Sequence, residues 1–154
     1  MKLLELYRPF AGSKTDFIKA FRDNDSLYER AIKFWDGLES LSVYILMICV
    51  VLGIGLAIYY YTIYNNHPHR HYTPKKWFLW MGITLLSVFI LTLSFELLAM
   101  KPKLDGAFML ETKIALGNAV YAILIYLMIS FVWCMSLPTN AYRFLTNGVR
   151  LIKF

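Results

Sequence analysis

Three histidines alternate with other residues in the segment His67-Pro68-His69-Arg70-His71. Alternate side chains of an extended chain project to the same side. Neutral imidazoles at His67, His69 and His71 could hold zinc, copper or nickel, and their protonation would make the loop a pH sensor. Because no carboxylate or cysteine lies between residues 65 and 76 to complete a metal site, three polar rings at a lipid headgroup boundary are the favoured interpretation.

Glu96 is the one charged residue within the three long apolar stretches of the chain. An acidic residue inside a membrane is a functional candidate, because burying its charge is expensive. Lys101 and Lys103 follow within a few positions. We therefore expect a carboxylate that reaches the membrane boundary and pairs with lysine, and we keep a proton or cation site in an oligomer as the alternative.

Uncharged polar residues occur in the second and third apolar stretches. Thr84, Ser87 and Ser94 recur at steps of three and seven, which predicts that they lie near one face of a helix. Asn118 is a similar residue in the third stretch. Together with Glu96 these residues would form a polar stripe that either lines a pore or makes hydrogen bonds between helices, and the second interpretation is the more common case.

Small residues mark faces on which helices can approach closely. Gly53 and Ala57 form a pair four positions apart in the first apolar stretch, and Ala115, Ala119 and Ala122 share a face of the third. Helices in lipid associate by close van der Waals fit, which small side chains permit. The pattern predicts that the first and third helices pack together, within one chain or between copies.

The sequence contains no pattern typical of catalysis, such as paired carboxylates, a Ser-His-Asp set, a glycine-rich phosphate loop or an HExxH motif. Cys49 and Cys134 both fall in apolar stretches, where cysteine behaves as a small hydrophobe. We therefore expect a protein that is not an enzyme and needs no cofactor.

The elements that must position these residues follow from composition. Of the residues, 58% are hydrophobic and only 17% are charged, whereas a soluble domain has about 25% charged residues. Residues 41–64, 77–100 and 114–137 are each long enough to cross a bilayer core of about 30 Å as a helix of about 20 residues. The predicted fold is an all-α integral membrane protein with three transmembrane helices.

Two flanking segments complete the predicted organisation. Residues 1–40 are charged and amphipathic, and Ser13 with Asp16 and Ser26 with Glu29 resemble helix-capping boxes. This segment is expected to lie on the membrane surface or to bind a partner. Residues 138–154 are predicted to form a short interfacial helix. The net charge of +6 favours contact with the lipid bilayer through headgroups, and we expect no nucleic-acid partner.

The orientation of the chain in the membrane is predicted from the charges that flank the spans and from the N-terminal segment. Lys and Arg residues close to the predicted spans number six on each side, so the positive-inside rule does not decide. Leu3 and Leu4 are followed at once by charged residues, so no secretory signal peptide is expected. The N-terminus is expected inside, because a charged segment of forty residues is difficult to translocate. Four tyrosines end the first span and Trp77 begins the second, as suits a headgroup boundary.

The sequence supports three functional hypotheses. The first is a non-catalytic multi-pass subunit that anchors or scaffolds a larger assembly, with copies of itself or with other membrane subunits. The second is a homo-oligomeric pore or ion channel, with a toxin-like or defence role, that uses the polar stripe. The third is a metal or proton carrier that uses the loop histidines. Fold alone does not choose among them.

Overall fold

The computed structural model describes residues 3–65 and 74–136. Every regular element in these two ranges is helical, and three helices are long and apolar enough to cross a membrane. The elements are a 3₁₀ helix Leu3–Tyr7, α1 Arg8–Ala11, α2 Lys14–Lys19, α3 Asp25–Tyr59, a π-helical turn Tyr60–Tyr64, α4 Pro74–Ala99 and α5 Phe108–Ser136. For this part of the chain, the prediction of an all-helical protein with three span-length helices is confirmed.

The first long helix begins far earlier than the predicted span. Helix α3 and its π-helical turn run without interruption over the 40 residues Asp25–Tyr64, and so cross the boundary expected at residue 40. Gly37 lies inside this helix, where a glycine costs only about 1 kcal/mol relative to alanine. The amphipathic segment after residue 24 and the apolar span are therefore one element. The histidine loop and the C-terminal segment 138–154 lie outside the described residues.

The start of α3 differs from the predicted capping box. The Asn24 side chain accepts hydrogen bonds from the backbone N–H groups of Ser26, at 3.1 Å, and Leu27, at 3.3 Å. Asparagine is among the best N-cap residues because its oxygen satisfies the free N–H groups of the first turn. Asn24 is therefore the cap, and the prediction that Ser26 caps this helix with Glu29 was wrong.

The capping box predicted at Ser13 is present at the start of α2. Ser13 Oγ accepts from the Asp16 N–H at 3.2 Å and donates to Asp16 Oδ2 at 2.6 Å. These hydrogen bonds, the side-chain bond foremost, favour the charged carboxylate and lower the pKa of Asp16 below its ordinary value. Gly12, at φ 79°, makes the turn between α1 and α2 in a conformation that side chains disfavour.

The chain divides into two compact units, and each long helix contributes to both. The first unit contains residues up to 48 together with 89–118, and the second contains 49–88 and the chain from 119 onward.

The second unit is built around aromatic side chains. Tyr60, Tyr61, Trp77 and Tyr126 are buried with Ala57 and Cys134. Trp77 Nε1 donates to Tyr61 Oη at 3.1 Å, and the Cys134 thiol lies 3.7 Å from the same oxygen. Several rings expected to face the headgroups thus pack on one another, because each ring buries a large apolar area.

Candidate functional site

The N-terminal segment is packed into the first unit. Leu4 and Tyr7 are both buried, because residues three apart share a side of a 3₁₀ helix. Phe10 lies against Gly117 of α5. This segment is therefore held by the long helices of its own chain, through contacts that its charged composition concealed.

Asn118 is the centre of a buried hydrogen-bond network in this unit. Its Oδ1 accepts from Tyr7 Oη at 2.7 Å, and its Nδ2 donates to Thr92 Oγ1 at 2.7 Å and to the Ile45 carbonyl at 2.9 Å. The side chain thereby joins the N-terminal 3₁₀ helix, α3, α4 and α5. Of the two roles predicted for Asn118, the structure provides the polar contact between helices.

Glu96 is fully buried in the first unit, and neither of its carboxyl oxygens has a hydrogen-bond partner among the described residues. The lysine pairing predicted for Glu96 is therefore not found. Glu111 of α5 is only 5% exposed, and a negative charge on it would disfavour a negative charge on Glu96. Lys103 acts electrostatically on Glu111. Two carboxyl groups thus share a buried environment, which is costly unless one is protonated.

Helix α4 buries a face with a step of four. Thr84, Val88, Thr92, Glu96 and Met100 at its C-terminal end are all buried. This step follows the i, i+4 ridge of a helix. A search of the sequence for this step of four would have identified Thr92, which was not among the predicted residues. No comparable sequence pattern identifies Tyr7 or Glu111.

The predicted polar stripe is not one surface. Thr84, Glu96 and Asn118 are buried within a single chain, whereas Ser87 is half-buried and Ser94 is exposed. Thr84 Oγ1 donates to the Trp80 carbonyl of its own helix at 2.9 Å. Side chains that are already buried within one chain do not line a pore between several copies. Thr84, Glu96 and Asn118 therefore give no support to the pore hypothesis.

The small residues are buried, and Gly53 lies at a close helix contact within the second unit. Ala115, Ala119 and Ala122 of α5 are fully buried, as is Ala57 of α3. In the second unit, a Cβ built on Gly53 would lie 3.1 Å from Ile125 Cγ2 and 3.2 Å from the Ala122 carbonyl. Helices α3 and α5 therefore approach so closely there that a larger residue at position 53 would push them apart.

Gly117 provides the sharpest test of the N-terminal packing. A Cβ at this position would lie 2.7 Å from Phe10 Cδ2 and 3.0 Å from Phe10 Cγ, so Gly117→Ala must displace the ring. We expect it to lower the free energy of unfolding by about 1–3 kcal/mol, measured by thermal unfolding in mild detergent. We also expect faster protease cleavage of the first twelve residues.

Two further variants test whether the loss of stability comes from the clash with Phe10. In a Phe10→Ala background, Gly117→Ala should cost little further stability, because the clashing ring is gone. Gly82→Ala is the matched control, since no described atom lies within 4 Å of a Cβ there and alanine favours helix. Equal effects of Gly117→Ala and Gly82→Ala would contradict the packing of Phe10 on α5.

Metal ligands are not clustered in the described ranges. No group of three or more His, Cys, Asp or Glu side chains there could hold a metal ion, and His67, His69 and His71 lie outside them. Comparison with protein-family models, curated proteins and solved structures finds no match for this chain. The chemistry of its own residues is therefore the basis for assigning a function.

Proposed function

We propose that this protein is a non-catalytic, multi-pass integral membrane subunit that anchors or scaffolds a larger membrane assembly. One observation carries the proposal: the long helices bury Thr92, Glu96 and Asn118 and turn large apolar side chains outward. Val51 of α3, Leu86 of α4 and Met128 of α5 are 65%, 58% and 67% exposed. A chain that exposes so much apolar surface needs lipid or other subunits around it.

One outward glycine supports assembly beyond a single chain. Gly55 of α3 has no described atom within 4 Å of a built Cβ. Gly55 is flanked on its helix by the exposed residues Val51 and Ile58. A helix face that contacts only lipid gains nothing from a glycine between bulky residues. A face that contacts another transmembrane helix does gain, because helices pack closely where side chains are small. The face around Gly55 is the proposed contact with a further subunit.

The mass of the native assembly tests this role. The full chain, extracted in polymer nanodiscs from its native membrane, should give a particle of fixed stoichiometry heavier than the 18.0 kDa chain plus lipid. Gly55→Leu should reduce that particle by about tenfold, since loss of close packing worth 1.4 kcal/mol changes an equilibrium constant tenfold. Val43→Leu, at another exposed position of α3, should have no such effect. A single-chain particle in the wild type would contradict the proposal.

The proposed orientation places the N-terminus inside. Its support is the charged segment before the first long helix, which is difficult to translocate. The native cysteines Cys49 and Cys134 are buried, so a cysteine introduced at Ser13 can be labelled selectively. Labelling of that cysteine from outside intact cells by an impermeant reagent would reverse the assignment.

A further inference from the structure

A cavity of about 230 Å³ lies in the first unit, where α4 ends and α5 begins. Because a water molecule takes up about 30 Å³ in the liquid, the cavity has room for several water molecules. Its wall contains the exposed residues Lys103 and Asp105 of the connecting loop and also Glu111 of α5, which is only 5% exposed. The cavity therefore brings a buried carboxyl group next to side chains that contact solvent.

Glu96 belongs to the helical turn of α4 that borders this cavity. Leu97 and Met100 of the same turn line the wall, and the Met100 N–H donates to the Glu96 backbone carbonyl at 3.0 Å. The Glu96 side chain is fully buried, and both of its carboxyl oxygens lack a hydrogen-bond partner among the described residues. An ionised carboxylate is costly to bury without donors or a cation around it, so the neutral acid is the favoured form.

The electrostatic surroundings of the two carboxyl groups differ. Among the described residues, the charged group that acts on Glu96 is Glu111 of α5, and its negative charge would disfavour one on Glu96. Lys103 acts on Glu111, where it favours a negative charge. The other charged side chains between Glu96 and residue 113 are all exposed: Lys101, Asp105 and Lys113. A single proton shared by the pair is therefore held more strongly by Glu96 than by Glu111.

We propose that Glu96 and Glu111 form a proton-binding site, in which Glu96 holds the proton at neutral pH and Glu111 exchanges it with water in the cavity. A proton fits this pair better than a metal ion does, because no group of three or more His, Cys, Asp or Glu side chains in the described ranges could hold a metal. The site lies within one chain, so it does not depend on the scaffold role in the proposed function.

Infrared spectroscopy of the full chain in nanodiscs tests the proposal, because a protonated carboxyl group has a C=O stretching band that a carboxylate lacks. We expect this band at neutral pH in the wild type, and we expect Glu96→Gln to remove it. Transfer into D₂O should shift the band as the proton exchanges. Glu111→Gln should keep the band but slow that exchange by about tenfold or more, since a positioned carboxyl group speeds proton transfer by about 10²–10⁴.

Matched controls separate the pair from other carboxyl groups. Asp105→Asn changes an exposed residue of the same wall and should leave both the band and its exchange unchanged. Labelling the glutamate carboxyl carbons of the wild type with ¹³C needs no substitution and should move the band to lower frequency. A wild type without the band, a band that ignores the label, or a band that survives Glu96→Gln overturns the site. Exchange that is as fast in Glu111→Gln as in the wild type overturns the role of Glu111.

Discussion

Replacing Asn118 with alanine is expected to lower the free energy of unfolding by about 2–4 kcal/mol. The change removes the three hydrogen bonds that Asn118 makes with the Tyr7 hydroxyl, the Thr92 hydroxyl and the Ile45 carbonyl in a buried region. Each buried polar group left without a partner costs about 1–3 kcal/mol, and measured interhelical bonds in membranes lie at the low end. Unfolding in mixed micelles at increasing denaturant measures the loss.

Variants that each remove one hydrogen bond measure how much each partner of Asn118 contributes to the free energy of unfolding. Tyr7→Phe and Thr92→Val each delete one hydrogen bond and should each cost about 1 kcal/mol. Tyr7→Phe combined with Asn118→Ala should cost less than the sum of the two, because both remove the same bond. Ser94→Ala, at an exposed position of α4, is the control. An Asn118→Ala loss no larger than that of Ser94→Ala would show that the network does not form.

Replacing Glu96 with methionine is expected to stabilise the protein and to raise the free energy of unfolding by about 1–3 kcal/mol. The carboxyl group is buried without a hydrogen-bond partner in the described part of the chain and lies near Glu111. Buried charged groups are often replaced by apolar ones of similar volume with a gain in stability. Thermal unfolding of the purified chain measures the gain, and Glu29→Met at an exposed position of α3 should leave stability nearly unchanged.

The outcome at Glu96 also bears on function. A carboxyl group that lowers stability is expected to serve the protein in another way, and proton binding near Glu111 is the hypothesis we favour. Proton flux into liposomes that contain the protein, compared for the wild type and Glu96→Gln, measures that role. A methionine variant that lost stability would instead indicate that Glu96 has a partner in the native state, such as a basic residue of another subunit.

The three long helices could be predicted from the sequence because their signal is local. Uncharged stretches of span length leave few alternatives to a helix in lipid. The beginnings of α3 at Asp25 and α5 at Phe108 could not be predicted in this way. Charged and polar residues there end the apolar run but not the helix, since Lys, Glu and Leu are all good helix formers.

The candidate site was predicted only in part. Glu96 and Asn118 stand out as polar residues in apolar stretches, so composition alone marks them. Tyr7 and Glu111 do not stand out, because tyrosine and glutamate are ordinary in charged segments. Tyr7 matters through its hydrogen bond to Asn118, 111 positions away, and Glu111 matters through the charge of Glu96 on another helix. A single sequence carries no local pattern for such pairs.

The length of α3 has a mechanical consequence. Its part in the first unit, residues 25–48, measures about 36 Å at 1.5 Å per residue, more than the thickness of a bilayer core. No proline interrupts this stretch, and sharp bends in helices arise chiefly at proline or a π-bulge. A tilt applied at Asp25, by a bound subunit or by curvature of the leaflet, would therefore be transmitted along the helix to Ile48.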